Sequence, residues 1–127
     1  AWWELAYLKD GKMKKANYIS FCEVNNGYKG IGTEYGLYSE GFYCNTTDPY
    51  QSEIMNISIE QMKYISGLVD KMRNFYYDPK NAKLIKNVDV NNCITLTVLY
   101  SESTETLKFP KYLFDIDINN QLKAFGK

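Results

Sequence analysis

Residues 57–80, ISIEQMKYISGLVDKMRNFYYDPK, decide the fold because their apolar side chains recur at steps of three and four. This spacing places the apolar side chains along one side of an α-helix. The stripe consists of Met62, Ile65, Leu68, Val69, Met72, Phe75 and Tyr76. Ser58 followed by Gln61 predicts a capping box at the start, and the closing Asp-Pro pair predicts the end. We therefore expect one long amphipathic helix at about 58–77.

The segments on either side of this helix alternate apolar and polar residues, as half-buried β-strands do. Before the helix we predict the strands of a meander at 2–8, 13–24 and 28–44. After the helix we predict two hairpins, with strands at 93–100, 105–109, 112–118 and 121–125. Asp10-Gly11 and the Asn-Asn-Gly of 25–27 are typical turn sequences. Gly30, Gly32, Gly36 and Gly41 predict bulges or bends in the extended segment 28–44.

Short turns between consecutive strands favour antiparallel pairing, and a helix beside such a sheet buries one of its faces. We therefore predict an α+β fold in which a mainly antiparallel sheet packs against the long helix. The 127 residues are the length of one domain, so we expect a single α+β domain over 1–127. No run of about eighteen apolar residues occurs, and we expect no transmembrane segment.

The charge balance argues against nucleic-acid binding. The chain has fifteen basic and fifteen acidic residues, and Arg73 is its one arginine. Affinity for nucleic acids comes largely from a basic surface that neutralises phosphates. We therefore expect no nucleic-acid partner. The excess of lysine, asparagine, isoleucine and tyrosine is typical of an AT-rich genome.

The absence of histidine removes several kinds of active site. It excludes Ser-His-Asp and Cys-His arrangements and histidine-based metal centres. The glycine patterns of dinucleotide- and phosphate-binding loops do not occur. We therefore expect no catalytic residue, no metal site and no cofactor.

Three cysteines do not form a disulfide framework. Cys22 and Cys44 lie in the same run of predicted strands and form the candidate disulfide; the alternative is three reduced thiols in a reducing compartment. The first residue is Ala1, and small residues often flank a signal-peptide cleavage site. This slightly favours an exported protein, periplasmic or secreted, over a cytoplasmic one.

Two pairs of carboxylates are candidates for a chemical role. Asp115 and Asp117 alternate with apolar residues in a predicted strand, so both would lie on one face and could hold a cation or share a proton. The simpler interpretation is that they form the solvent face of that strand. Glu102 and Glu105 flank a predicted hairpin turn, where we expect solvated side chains.

The stretch EYGLYSEGFYCNTTDPYQ, residues 34–51, combines acidic and aromatic residues without a lysine or arginine. Tyrosine gives rigid contact area, and acidic groups orient a basic partner. The candidate partner-binding residues are Glu34, Tyr35, Tyr38, Glu40, Tyr43, Asp48 and Tyr50. The alternative is that Tyr35, Leu37 and Phe42 face the core under the helix, while the acids pair with the basic segment 63–86.

These features favour a small non-catalytic binding protein that acts through a protein–protein interface. An inhibitor or toxin-immunity protein of a bacterium fits this class, with a protein partner of basic character. An exported carbohydrate- or surface-binding module is the alternative, since Trp2, Trp3 and the tyrosines could stack on sugar rings. A carboxylate-dependent enzyme using Asp115 and Asp117 is the third hypothesis.

Overall fold

The computed structural model describes residues 6–9, 12–16, 18–38, 41–45, 57–100, 102–122 and 124. These residues form the predicted α+β fold. The strands are β1 (Ala6–Lys9), β2 (Lys12–Lys15), β3 (Tyr18–Asn25), β4 (Tyr28–Tyr38), β5 (Gly41–Asn45), β6 (Cys93–Leu99) and β7 (Thr104–Phe109). The helices are α1 (Ile59–Tyr77) and α2 (Ala82–Lys86), with 3₁₀ segments at Pro79–Asn81 and Lys111–Phe114 and a π-helical segment at Ile116–Leu122.

Helix α1 starts at the predicted capping box. The backbone N–H of Gln61 donates to Ser58 Oγ at 3.1 Å, and the backbone N–H of Ser58 donates to Gln61 Oε1 at 2.8 Å. These two bonds satisfy amide groups that the first turn leaves without a helical partner. The prediction of a helix at about 58–77 is confirmed.

The main sheet is antiparallel throughout, in the order β5-β4-β3-β6-β7. Strand β3 is central, and Phe21 pairs with Tyr35 of β4 and with Leu96 of β6. These three side chains are at most 1 % exposed and belong to the same core cluster as the apolar stripe of α1. The core therefore lies between α1 and one face of the sheet.

The predicted strand over 13–24 is wrong in one respect, because the chain forms two strands there. Strand β2 pairs only with β1, in a separate two-stranded sheet, whereas β3 belongs to the main sheet. Residues 12–15 read KMKK, and three lysines are unsuited to a central strand such as β3, whose residues are buried on both faces. The hairpin β1–β2 lies against α1 instead.

The turn and the bulge predicted from asparagine and glycine are confirmed. Asn26 and Gly27 have φ values of 51° and 82°, the left-handed conformation that these two residue types tolerate best. Cys22 pairs with Glu34 while Val24 pairs with Lys29, so β4 carries a bulge that includes the predicted Gly30 and Gly32. The same prediction is wrong for Gly36 and Gly41, which pair in regular register with Tyr43 and Tyr38.

The last predicted hairpin, with strands at 112–118 and 121–125, is wrong. Its described residues form the 3₁₀ and π-helical segments, which bury Phe114, Ile118 and Leu122 at steps of four. Ile116, which strand alternation would place beside Phe114 and Ile118, is 66 % exposed. The sequence FDIDI satisfies both periods locally, and burial of every fourth side chain favours the helical one.

Helix α1 is also followed by more helix than was predicted. Asp78 Oδ1 accepts a hydrogen bond from the Lys80 backbone N–H at 3.0 Å and caps the 3₁₀ segment Pro79–Asn81, which leads into α2. Proline at the first position suits such a start because it lacks an N–H to satisfy. Within the described residues, no helix combines the length and the apolar character that crossing a membrane requires.

We expect Ile118→Ala and Ile116→Ala to have very different effects on the free energy of unfolding. Ile118 is 2 % exposed, so its truncation should cost about 2–5 kcal/mol through lost burial and a cavity. Ile116→Ala, at an exposed position, should stay within about 0.5 kcal/mol. Urea denaturation measures both. Equal losses would indicate the strand alternation and contradict the helical C-terminal segment.

Candidate functional site

The stretch predicted as an interface is partly core. Tyr35 is 1 % exposed and packs in the main cluster together with Leu37, which is 2 % exposed. Tyr35 therefore cannot contact a partner from this position, and its inclusion among the surface residues is wrong. The alternative is confirmed for Tyr35 and Leu37, whereas its other parts, the burial of Phe42 and the pairing of the acids with residues 63–86, stay predictions.

Three other candidates of this stretch are placed by strand register. Glu34 pairs with Asn45, Tyr38 with Gly41, and Tyr43 with Gly36. These positions alternate with those of Tyr35 and Leu37, on the outermost strand pair of the main sheet. Glu40, Asp48 and Tyr50 lie outside the described residues, so the surface role of the stretch stays a prediction.

The candidate disulfide between Cys22 and Cys44 is not formed. Cys22 is a buried thiol whose Sγ donates a hydrogen bond to the Glu23 carbonyl at 3.6 Å. The register places the two cysteines on β3 and β5, with β4 between them. Strands two apart are separated by about 9–10 Å, beyond the reach of a disulfide.

Asp115 and Asp117 do not form a carboxylate pair on one face. Asp115 is exposed, while Asp117 belongs to the π-helical segment that packs against α1. Asp117 Oδ1 accepts from the Tyr64 hydroxyl at 3.1 Å, and its Oδ2 contacts Lys71 Nζ at 2.9 Å. Asp117 thus fastens the C-terminal segment to α1. Among the residues that the structure describes, no group of three carboxylates or thiols could hold a metal ion.

The one arginine joins α1 to the sheet. Arg73 is 5 % exposed, and its Nε and Nη2 donate to the two carboxylate oxygens of Glu105 at 2.7 and 3.1 Å. The hydroxyl of Tyr77 donates to the same carboxylate at 3.0 Å. Glu105 is therefore not the solvated turn residue that its sequence position predicted. Burial, followed by the bond to Glu105, raises the pKa of Tyr77.

A third polar contact holds the 3₁₀ segment against the sheet. Lys111 Nζ donates to Asn25 Oδ1 and lies 3.6 Å from Glu23 Oε1. Asn25 is the last residue of β3, directly before the Asn26-Gly27 turn. The contact therefore brings residues 111 and 112 to this end of the sheet.

The β3–β4 turn is also bonded to the loop that precedes β6. The backbone N–H of Gly27 donates to the Asn91 carbonyl at 2.8 Å, and that of Asn26 donates to Asn92 Oδ1 at 3.1 Å. A hydrogen bond within the loop stabilises it, since Asp89 Oδ1 accepts from the backbone N–H of Asn91 at 3.0 Å. Three separate parts of the chain are thus tied together at one end of the sheet.

Each of these three parts exposes one large apolar side chain. Tyr28 and Tyr112 are each 65 % exposed, and Val90 is 53 % exposed. We call these three residues, with Asn26 and Asn91, the turn surface. Sequence analysis predicted the turn but missed the surface, because its members are 62 and 22 residues apart along the chain (28 to 90, then 90 to 112). The one local signal was an aromatic residue directly after the Asn-Asn-Gly turn.

The contact between Tyr64 and Asp117 should be visible in the alkaline stability of the protein. Burial, then the hydrogen bond and the negative charge of Asp117, raise the pKa of Tyr64 from 10.0 to about 12. The unfolded chain therefore loses this proton first, so the stabilisation is present below pH 10.0 and is lost as the pH rises towards 12. Tyr64→Phe and Asp117→Asn should each weaken the fall of the unfolding free energy across this window, measured by urea denaturation. If both variants kept the wild-type dependence of the unfolding free energy on pH, the Tyr64–Asp117 contact would not be its source.

Removing one partner of the Arg73–Glu105 ion pair should lower the free energy of unfolding far more than replacing both partners by apolar residues. Glu105→Leu leaves a buried guanidinium without its carboxylate and should cost about 3–5 kcal/mol of unfolding free energy. The double variant Arg73→Met with Glu105→Leu should recover most of this loss, because no buried charge remains. Lys71→Met is the control: its ion pair with Asp117 has a lysine 61 % exposed and should cost less than about 1 kcal/mol. A double variant as unstable as Glu105→Leu would contradict the expectation.

Comparisons of the chain with protein-family models, with curated proteins and with solved structures gave no match in any of the three. A function can therefore be inferred only from the contacts and exposed surfaces of the chain itself. Among these, the turn surface is where hydrogen bonds join three segments that each expose an apolar side chain.

Proposed function

We propose that the chain is a small non-catalytic binding domain that acts through a protein partner and uses the turn surface as its interface. The observation that carries the proposal is the arrangement of Tyr28, Val90 and Tyr112, which are exposed around one hydrogen-bonded turn. Single exposed apolar side chains are common and need no explanation. Three such side chains, on distant segments that hydrogen bonds join at one end of the sheet, favour a contact surface.

The residue types of the turn surface suit protein recognition. Tyrosine has only two side-chain torsions, so it provides a large contact area at a low entropic cost. Asn26 and Asn91 are exposed beside the apolar residues and offer both donors and acceptors to a partner. Such a mixture of aromatic centre and polar rim is common in protein interfaces.

The turn surface is also held in place before any partner binds. The bonds from Gly27 to Asn91, from Asn26 to Asn92 and from Lys111 to Asn25 fix the three segments relative to one another. A surface that is already ordered loses less conformational entropy on association. This rigidity supports a binding role.

The polar clusters support a binding role over a catalytic one. Glu105, Asp117 and Glu23 each bond to a basic residue on another element, and each contact joins two parts of the fold. An inhibitor or toxin-immunity protein of a bacterium is the more specific form of the proposal, in which Glu34, Tyr38 and Tyr43 would supply a second contact.

Carbohydrate binding is the second candidate, and the same surface favours it. Tyr28 and Tyr112 offer exposed rings, and the amides of Asn26 and Asn91 could read sugar hydroxyls. A glycan array distinguishes the two functions. Binding of a glycan that requires Tyr28 and Tyr112, in the absence of a protein partner, would replace the first proposal with the second.

The double variant Tyr28→Ser with Tyr112→Ser should lose the partner while keeping the fold. We expect the tagged wild-type chain to co-purify one protein in a stoichiometric complex from its native host. Calorimetry with that protein should give a dissociation constant at least about tenfold higher for the variant, as for interface aromatics generally. Ile59→Ser and Ile116→Ser, at positions 68 % and 66 % exposed elsewhere, are the matched controls and should bind as the wild type does. Absence of a stoichiometric partner, or equal binding by all variants, would contradict the proposal.

A further inference from the structure

We infer that the partner meets the turn surface with an acidic protein segment, which contacts a row of three lysines beside that surface. The lysine row consists of Lys80, Lys83 and Lys86, all of them exposed. This inference rests on the proposed function and adds the charge of the partner and the place where that charge binds.

The three lysines project along one side of a continuous helical segment. The 3₁₀ segment Pro79–Asn81 leads directly into α2, Ala82–Lys86. Residues three apart lie nearly above one another in a 3₁₀ segment and are neighbours on an α-helix. On α2, Leu84 and Ile85 are half-buried, and Ile85 packs against the core, so the lysines point away from it.

The lysine row is tied to α1 at its start, and local hydrogen bonds close the helical segment at its end. Asn81 Nδ2 donates to the Phe75 carbonyl at 3.1 Å and ties the start of the row to α1. The Asn87 N–H donates to the Lys83 carbonyl at 3.2 Å, and the Val88 N–H donates to the Ile85 carbonyl at 3.3 Å. Val90 of the turn surface follows two residues after Val88, so the row and that surface are adjacent along the chain.

The positive charge of the row is not balanced locally. No acidic residue occurs between Asp78 and Asp89, and both of these carboxylates accept backbone N–H bonds at caps and turns. In the described part of the chain, no ion pair involves a lysine of the row. The whole chain has zero net charge, so this local excess is a separation of charge within the molecule.

Helix geometry explains only part of this pattern. Lysines near a helix carboxyl end interact favourably with the helix dipole, which suits Lys83 and Lys86. The dipole of a five-residue helix is small, and it does not account for Lys80 or for the lack of acids along the row. Like charges at such spacing repel one another by a few tenths of a kcal/mol. An acidic partner would relieve that repulsion.

Two observations favour an acidic protein over a phosphate-rich partner. Apolar side chains flank the lysine row, with Tyr77 55 % exposed before it and Val90 53 % exposed after it. The one arginine, whose guanidinium would suit phosphate oxygens best, is buried in its bond with Glu105. The acidic composition of residues 34–51 favours a basic partner group at that stretch. The lysine row is a separate stretch, and its charge favours an acidic partner segment.

A random-peptide library displayed on phage provides a defined probe for this inference. Panning against the immobilised wild-type chain should enrich peptides with a net negative charge and at least one large apolar residue. A synthetic copy of an enriched peptide should bind Lys83→Glu with Lys86→Glu at least about tenfold more weakly than the wild type. Its affinity should also fall between about 0.05 M and about 0.5 M salt, because exposed charges are screened. Lys63→Glu, on the first half of α1, is the control and should bind as the wild type does.

The outcomes separate this inference from the proposed function. Enriched peptides that are neutral or basic, and whose binding requires Tyr28 and Tyr112 but not the lysines, would overturn the inference and leave the proposed function standing. Binding of phosphatidylserine vesicles or duplex DNA to the lysine row, without enrichment of any peptide, would assign the row to a membrane or nucleic acid instead. Failure to enrich any peptide, with no vesicle or DNA binding, would count against both.

Discussion

The packing of α1 against the central strands is the contact on which the rest of the structure depends. Ile65, Val69 and Met72 are fully buried against side chains of β3, β4, β6 and β7. The same cluster includes Phe114, Ile118 and Leu122, so the C-terminal segment shares its core with α1 and the sheet. Apolar burial drives this packing, while the bidentate bond between Arg73 and Glu105 requires one orientation of the helix.

The polar contacts have a common arrangement. Arg73–Glu105 joins α1 to β7, Asp117 joins the C-terminal segment to α1, and Lys111 joins the 3₁₀ segment to the end of β3. Each bond is partly buried and joins two elements. Because hydrogen bonds are directional and apolar contacts are not, each bond helps to fix the relative orientation of the elements that it joins. The last of them carries Tyr112 to the end of the sheet where Tyr28 and Val90 are exposed. The contact of Lys111 with Asn25 therefore contributes both to the packing of the fold and to the geometry of the turn surface.

Sequence patterns predicted the elements whose signals are local. The apolar stripe and capping box identified α1, β-branched residues identified β6 and β7, and Asn-Gly identified the β3–β4 turn. The C-terminal segment could not be predicted, since residues 114–118 fit a period of two as well as a period of four, and the choice depends on packing against α1. Glu105 looked solvated because its partner lies 32 residues earlier in the chain. The turn surface is likewise set by long-range bonds, such as the one that joins residues 111 and 25.

The lysines differ in whether they pair with a carboxylate on another element of the fold. Lysines that find a carboxylate on another element, such as Lys71 and Lys111, contribute to the fold. Lys80, Lys83 and Lys86 stand on a segment where the nearest acids, Asp78 and Asp89, hold backbone amides instead. If either carboxylate turned to form an ion pair with a lysine of the row, the backbone N–H that it now accepts from would lose its acceptor. The caps made by Asp78 and Asp89 therefore explain why these acids do not neutralise the lysine row. Its charge remains available to a partner that approaches the turn surface.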